Sequence, residues 1–281
     1  MKDENIGKTE ASSLNSVSAQ SAFASLASPL VDAAIEHAGT ISTDASAETL
    51  HKLRVALRRL RSLWWAYRPL LKKDENTRQQ ALYRYLATSA GKTRDWDILI
   101  QLLTRFSGKA SLPPGALDAA RADALATSRE TIANADAKHI LRETLSSATT
   151  ELNTARGRVP LKKFAGKRLG QAEKTLRKRM NRAAKAKRSD YAAFHNVRKA
   201  GKKVRYLLEL FAPVYRERAG KTVKRLKKVQ KRFGKLNDVV ASEALLRDSA
   251  DQLGADLNPD TALRALEKER KHRMRAAVKL L

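Results

Sequence analysis

Cysteine is absent from this chain of 281 residues. That excludes disulfides, thiolate metal sites and cysteine nucleophiles. Proline (7) and glycine (12) are scarce, so periodic segments meet few interruptions. Aromatic residues make up only 5%, which is little for a protein that would bind nucleic acid by stacking bases. No run approaches the ~18 apolar residues a membrane span needs, and the opening MKDENIGKTE lacks an apolar stretch. Neither membrane insertion nor secretion is expected, and the expected location is the cytoplasm. Acidic residues are also few: 29 Asp and Glu stand against 57 Lys and Arg, a net charge of +28. Self-repulsion on this scale opposes compaction, and a polyanionic partner is the simplest reason to retain it.

What is present points to helices. Apolar residues are 42% and charged residues 31%, a balance suited to a folded chain. Ala, Leu, Lys and Arg are strong helix formers, and alternating β-branched runs closed by Asn-Gly or Asp-Gly are missing. The fold class expected is all-α. Helices are predicted over about 19–37, 46–71, 74–90, 95–106, 116–133, 136–156, 160–187, 190–211, 219–235, 238–253 and 259–280, after a polar, Ser-rich tail at 1–17. The charge is uneven. Residues 1–155 hold 20 basic and 17 acidic residues, whereas residues 156–281 hold 37 and 12. A uniform solubilising surface would not be distributed this way, so the asymmetry favours a localised binding face.

Two segments repeat the same pattern. HKLRVALRRLRSLWWAY (51–67) aligns with HNVRKAGKKVRYLLELF (195–211). His51 matches His195, Arg54 matches Arg198, Arg58 matches Lys202, Arg59 matches Lys203 and Arg61 matches Arg205. The apolar positions Leu53, Leu60, Trp64 and Tyr67 match Val197, Val204, Leu208 and Phe211. A repeat at a separation of about 144 residues implies two related halves. At about 100° per residue, offsets of 0, 3, 7 and 10 fall within a stripe about 80° wide. Each helix therefore presents one cationic face and one apolar face. Neither cationic face is expected to carry an acidic partner four residues away. Evenly spaced cations suit a chain of phosphates, and Arg grips phosphate oxygens bidentately.

Further signals follow each repeat. Lys221, Lys224, Lys228, Lys231 and Lys235 form a single-face lysine stripe. Its first-half counterpart keeps only Arg78 and Lys92. Gly91-Lys92 and Gly234-Lys235 read as turns, with Asp95 and Asp238 as the N-caps of the next helices or as carboxylates that hold nearby arginines. Asp95 and Asp97 as a catalytic pair is the sharper but disfavoured reading, because nothing beside them supplies a nucleophile or metal cluster. The run EKERK at 267–271 matches a strand-borne catalytic signature, but here it lies in a helical pattern that separates Glu267 from Glu269 by about 160°.

In order and in duplicate, these motifs resemble the CHAD family, the helical domain named for its histidines. They are H-x-x-R-x-x-x-R-R-x-R at 51–61, R-D-W-D at 94–97, H-x-x-R-K-x-x-K-K-x-R-Y at 195–206 and L-N-D at 236–238. The resemblance covers roughly residues 20–281, and the domain is expected to span 18–281. It implies two antiparallel four-helix halves (about 18–156 and 157–281) related by a pseudo-twofold, with a basic central groove that binds inorganic polyphosphate and an association with polyphosphate granules. Carried over by position, His51, Arg54, Arg58, Arg59, Arg61, His195, Arg198, Lys199, Lys202, Lys203 and Arg205 would line the groove, and Lys221 to Lys235 would extend it. The expectation is a non-enzymatic polyphosphate binder that needs no cofactor or metal. The alternative is an RNA- or DNA-binding protein, with Trp65 and Tyr206 as stacking candidates. The histidines are read as phosphate hydrogen-bond donors, with packing or capping roles as the plainer alternative.

Overall fold

The computed structural model describes residues 17–41, 46–107, 114–250, 253 and 259–281; the side chains of 106–107, 114 and 216–221 are outside that set. Among the described residues there are nine α-helices and no strand. They are α1 (Ala19–Thr40), α2 (Ala47–Tyr67), α3 (Lys73–Ser107), α4 (Pro114–Asn134), α5 (Ala137–Thr154), α6 (Leu161–Lys185), α7 (Tyr191–Leu210), α8 (Arg216–Asp248) and α9 (Pro259–Val278). The all-α expectation holds. The Ser-rich stretch 1–16 and most of the 107–115 loop lie outside the described residues.

Local chemistry sets the helix ends. Ser18, Ser46, Asp136 and Asp190 each accept a hydrogen bond from a first-turn amide, supplying a partner that the helix itself cannot. Pro160 precedes the first residue of α6, and a 3-10 turn carrying Pro213 follows α7.

Two sequence expectations are corrected. The predicted breaks at Gly91-Lys92 and Gly234-Lys235 do not occur: α3 and α8 run unbroken through them for 35 and 33 residues. Asp95 and Asp238 are therefore mid-helix residues and cap nothing. The physical reason is tertiary. A mid-helix glycine costs about 1 kcal/mol relative to alanine; at Gly91 the missing side chain leaves room for Arg54 of the neighbouring helix, whereas a Cβ at Gly234 would meet Arg198 at an ordinary 3.8 Å.

Consecutive helices pack on one another in the pairs α1–α2, α2–α3, α3–α4, α6–α7, α7–α8 and α8–α9. The pairs α2–α7, α3–α8, α3–α9 and α1–α6 join the N-terminal helices to the C-terminal ones, and α5 folds back on α1. The apolar faces read from the repeat are core: Leu53, Leu57, Leu60, Trp64, Tyr67, Val197, Val204, Leu208 and Phe211 are each at most 2% exposed. Trp64 packs edge-on against Phe23 and Tyr83 at 5.1 and 5.3 Å, and Phe164 lies between Tyr67 and Phe211 at 4.8 and 6.3 Å. Tyr67 also donates its hydroxyl to Ala19 O at 2.8 Å. With these faces inward, the cationic faces of α2 and α7 are left toward the seam where the two helices meet.

Candidate anion-binding site

The seam is built from two matching seats. In the first, Arg54 of α2 lies over Gly91 of α3. Its Nη1 donates to Gly91 O at 3.3 Å, and its Nη2 is 3.9 Å from Asp95 Oδ1. A Cβ on Gly91 would sit 3.2 Å from Arg54 Nη2. In the second seat, Arg198 of α7 lies over Gly234 of α8, where a Cβ would be 3.8 Å from Arg198 Nε, and Asp238 is its opposing charge. Glycine, aspartate and arginine thus recur in register. Asp95 pairs with Arg54, Asp238 acts on Arg198 from beyond 4.0 Å, and Gly91 is the position where a side chain would crowd the arginine. Arg54 Nε and Arg198 Nε are both buried without a hydrogen-bond partner.

The electrostatics of the seam are dominated by crowding. Burial, with the nearby charges of Arg198 and Arg58, pushes Lys202 down to about 6. Burial and Arg58 lower Arg54 to about 10, against the opposing pull of Asp95. Asp238 is raised by burial despite Arg198 and Lys202 beside it. Among the described residues, no carboxylate lies within 4.0 Å of Arg58, Arg198 or Lys202. A cation whose pKa falls this way is one that the surroundings discharge rather than stabilise; an anion placed among these groups would reverse the sign of the effect.

The two histidines differ. His51 has much of its side-chain surface open to solvent near the start of α2, and partial burial of the ring, followed by the charge of Arg94, lowers its pKa. His195 Nδ1 is paired with Asn237 Oδ1 of α8; burial lowers its pKa while that hydrogen bond raises it. Asn237 is therefore a positioning partner that the sequence motif L-N-D contained but did not explain.

Not every predicted residue reaches the seam. Arg59 Nη2 is 3.5 Å from Glu209 Oε2, and Arg205 Nε is 3.6 Å from Glu209 Oε1. The expectation that the cationic faces lack acidic partners at i±4 is thus wrong at Arg205, whose i+4 neighbour is Glu209. Lys203 lies against the Trp65 ring at 4.2 Å. Arg61 is half-buried, and burial, with the charges of Arg84 and Arg58, lowers its pKa. Lys199 is exposed on α7. Lys224, Lys228, Lys231 and Lys235 are exposed along α8, about 40°, 80°, 20° and 60° around the helix from Asp238, so Lys231 comes nearest the seam, while the Lys221 side chain is outside the described residues. Arg273 beside Lys235 lowers the lysine's pKa.

Sequence reasoning missed Arg94. It acts on His51, Arg54 and Asp238, and Asp97 holds it at 3.8 Å while accepting from Arg121 Nε at 2.6 Å. Its place in R-D-W-D was the available signal. It also missed Lys227, exposed and within about 20° of Asp238 around α8.

Asp95 and Asp97 bind different arginines and share no face. Glu267 pairs with Arg270 and Lys271, and Glu269 with Arg273, all within helix α9. Tyr206 is 4% exposed and so offers no open face to a base. No helix of the described residues is long and apolar enough to cross a membrane.

Taken together, these features define an all-helical bundle with a cationic seam between two arginine-bearing helices. The chain belongs to the CHAD domain family, whose model matches residues 25–247. It is similar in fold to the crystal structure of the CHAD domain from the plant Ricinus communis, with a TM-score of 0.74 and 24% identity over 95% of this chain and 93% of that one. It is also similar to PptA from Streptomyces chartreusis, with a TM-score of 0.62 and 16% identity over 94% of this chain and 98% of that one. No curated protein matches the chain.

Proposed function

We propose that the seam is a groove that binds inorganic polyphosphate without turning it over, and that binding directs the protein to polyphosphate granules. The observation that carries this reading is the convergence of Arg54, Arg58, Arg198 and Lys202, for which Asp95 and Asp238 are the nearby counter-charges among the described residues. The repeated Arg–Gly–Asp seat supports two halves related by a pseudo-twofold about the α2–α7 contact. The family resemblance supplies the ligand: a linear chain of phosphates matches cations spaced along two helix faces.

Binding would be driven by Coulomb attraction and release of condensed counterions, reading charge density and chain length. With on the order of 8 phosphates engaged, affinity would fall with salt at a log–log slope of roughly −5 to −6. His51 and His195 would donate to phosphate oxygens and become protonated on binding, so affinity weakens as pH rises through the histidine range. Tyr206 is buried and the Trp65 ring already engages two cations, which favours polyphosphate over a single-stranded nucleic acid that needs stacking platforms. The test is competition. Long polyphosphate should displace bound RNA at equal phosphate concentration; failure to displace it would refute the reading. Phosphate release from polyphosphate with Mg²⁺ or Mn²⁺, abolished by changing Asp95, would refute the non-enzymatic part.

A further inference from the structure

A shift of 144 residues exchanges α2 and α7. It places Arg59 on Lys203 and Trp65 on Glu209. Two contacts that cross between the helices are therefore counterparts. On one side of the crossing, the Glu209 carboxylate lies 3.5 Å from Arg59 and 3.6 Å from Arg205. On the other side, Trp65 stands where that carboxylate would be. Lys203 Nζ is 4.2 Å and Arg168 Cζ 4.0 Å from the centroid of its ring. The first arrangement contains its own anion. The second has only an aromatic face, a weaker substitute.

The Trp65 side is also richer in cations. Arg168 is 6% exposed. Its Nη2 donates to Trp65 O at 2.5 Å and its Nη1 to Gln171 Oε1, but its Nε is buried without a partner. Arg61 Nε is likewise buried and unpartnered. Arg179 Nη1 donates to Asn196 O at 3.2 Å, and Arg68 lies near enough to act on both Arg168 and Lys203. Among the described residues, no carboxylate lies within 4.0 Å of Arg61, Arg68, Arg168, Arg179 or Lys203. Burial, with Arg179, Arg168, Arg61 and Arg68 around it, pushes Lys203 down to about 8. The α1 helix contains no Lys or Arg, so the counterpart side has nothing equivalent to what α6 brings.

The cluster centres on Lys203 rather than on Lys202, and Arg61, on which Arg58 also acts, joins it to the groove. The cations that act most on Lys202 are Arg198, Arg58 and Arg54; those that act most on Lys203 are Arg179, Arg168, Arg61 and Arg68. The two lysines are consecutive and point about 100° apart. We propose that the cations around Trp65 form a second anion site that takes a short oligophosphate, and that Glu209 fills the corresponding place from within the chain. The ligand class follows from the arrangement. Lys203 and Arg168 lie on one ring, and Arg61, Arg68 and Arg179 act on Lys203 from α2, its following turn and α6, a gathering about one point rather than along a helix that suits a compact anion of high charge such as pyrophosphate. Guanidinium groups grip phosphate oxygens bidentately.

The full chain is titrated with pyrophosphate while tryptophan emission is followed, and bound pyrophosphate is counted by equilibrium dialysis. A saturable change in emission is expected. Trp65→Phe should abolish that change, which excludes Trp64 and Trp96 as its source. Trp65→Glu, which supplies the carboxylate that the counterpart side already has, should weaken pyrophosphate at least tenfold. Lys203→Gln/Arg179→Gln should do the same without touching the ring. Arg58→Gln/Lys202→Gln should leave the emission change intact. The proposal fails if wild type shows no emission change, if both Trp65→Glu and Lys203→Gln/Arg179→Gln bind as wild type does, or if Arg58→Gln/Lys202→Gln abolishes the signal. Pyrophosphate binding at Trp65 in a protein that does not bind long polyphosphate would leave this site standing and remove the groove.

Discussion

The α2/α3 arm and the α7/α8 arm carry the same seat in different surroundings. Arg54 over Gly91 beside Asp95 is matched by Arg198 over Gly234 beside Asp238. Outside the seats the arms diverge. The α8 helix carries an exposed lysine stripe, whereas α3 has Ala81, exposed Tyr85 and Thr88 at the middle positions. The difference separates two jobs. What both arms keep is an arginine placed over a glycine and near an aspartate in the seam. What only one arm has is surplus charge on its surface. On the proposed function, the surplus charge would act as long-range attraction, while a smaller set of cations carries the shape of the proposed site.

This comparison can be broken at several points. The largest effects are expected in the shared frame beneath the seats. Trp64→Ala should cost about 3–5 kcal/mol and its counterpart Leu208→Ala about 2–5 kcal/mol of unfolding free energy, measured by denaturant titration. A large cost at one and none at the other would end the claim that the two faces are equivalent. Next is the unequal charge. Replacing Lys224, Lys228, Lys231 and Lys235 by Gln should flatten the log–log salt slope of polyphosphate binding by about 3 if all four meet phosphates, whereas Arg78→Gln with Lys92→Gln on the other arm should flatten it less. Equal flattening would remove the lopsidedness from the binding account.

Lys202 gives a test by proton count. Its pKa in the free protein is about 6, so at pH 7 it is mostly neutral. A bound polyanion would raise that value. Binding should then take up close to one proton per Lys202 near neutral pH, and affinity should fall as pH rises from 6 toward the bound-state value. Calorimetry in buffers of different ionisation enthalpy measures the uptake, and Lys202→Met should lower it by close to one proton, leaving the share taken up by His51 and His195. The smallest expected effect sharpens the comparison most finely. Gly234→Ala should stabilise by about 0.5–1 kcal/mol, because alanine favours helix and its Cβ would meet Arg198 at an ordinary 3.8 Å. Gly91→Ala should gain less, because at 3.2 Å the Arg54 guanidinium has to move.

Much of this was legible in the sequence. Helical composition, the apolar stripes through Trp64 and Leu208, and the duplicated cationic faces all follow from local periodicity, which a single helix expresses in its own residues. The errors came where a local rule met a tertiary answer. Gly-Lys followed by Asp satisfies the rule for a turn and a cap, but Arg54 and Arg198 occupy the space over the two glycines and the helices run on. Cross-helix partners were hidden for the same reason. Nothing in the spacing around Arg59 or Lys203 predicts that one meets Glu209 and the other Trp65, because those contacts are set by how α2 crosses α7. Tyr206 was placed near the basic face by its angle, yet packing buries it.

The seated arginines are the centre of the account, and one titration tests them most directly. Polyphosphate of defined length is titrated into wild type and into Arg54→Ala/Arg198→Ala at the same salt concentration, with folding checked by circular dichroism. Losing two charge-assisted phosphate contacts of about 1.5 kcal/mol or more each predicts a fall in affinity on the order of 100-fold. A folded double variant that binds as tightly as wild type would contradict the claim that the seam is the binding groove.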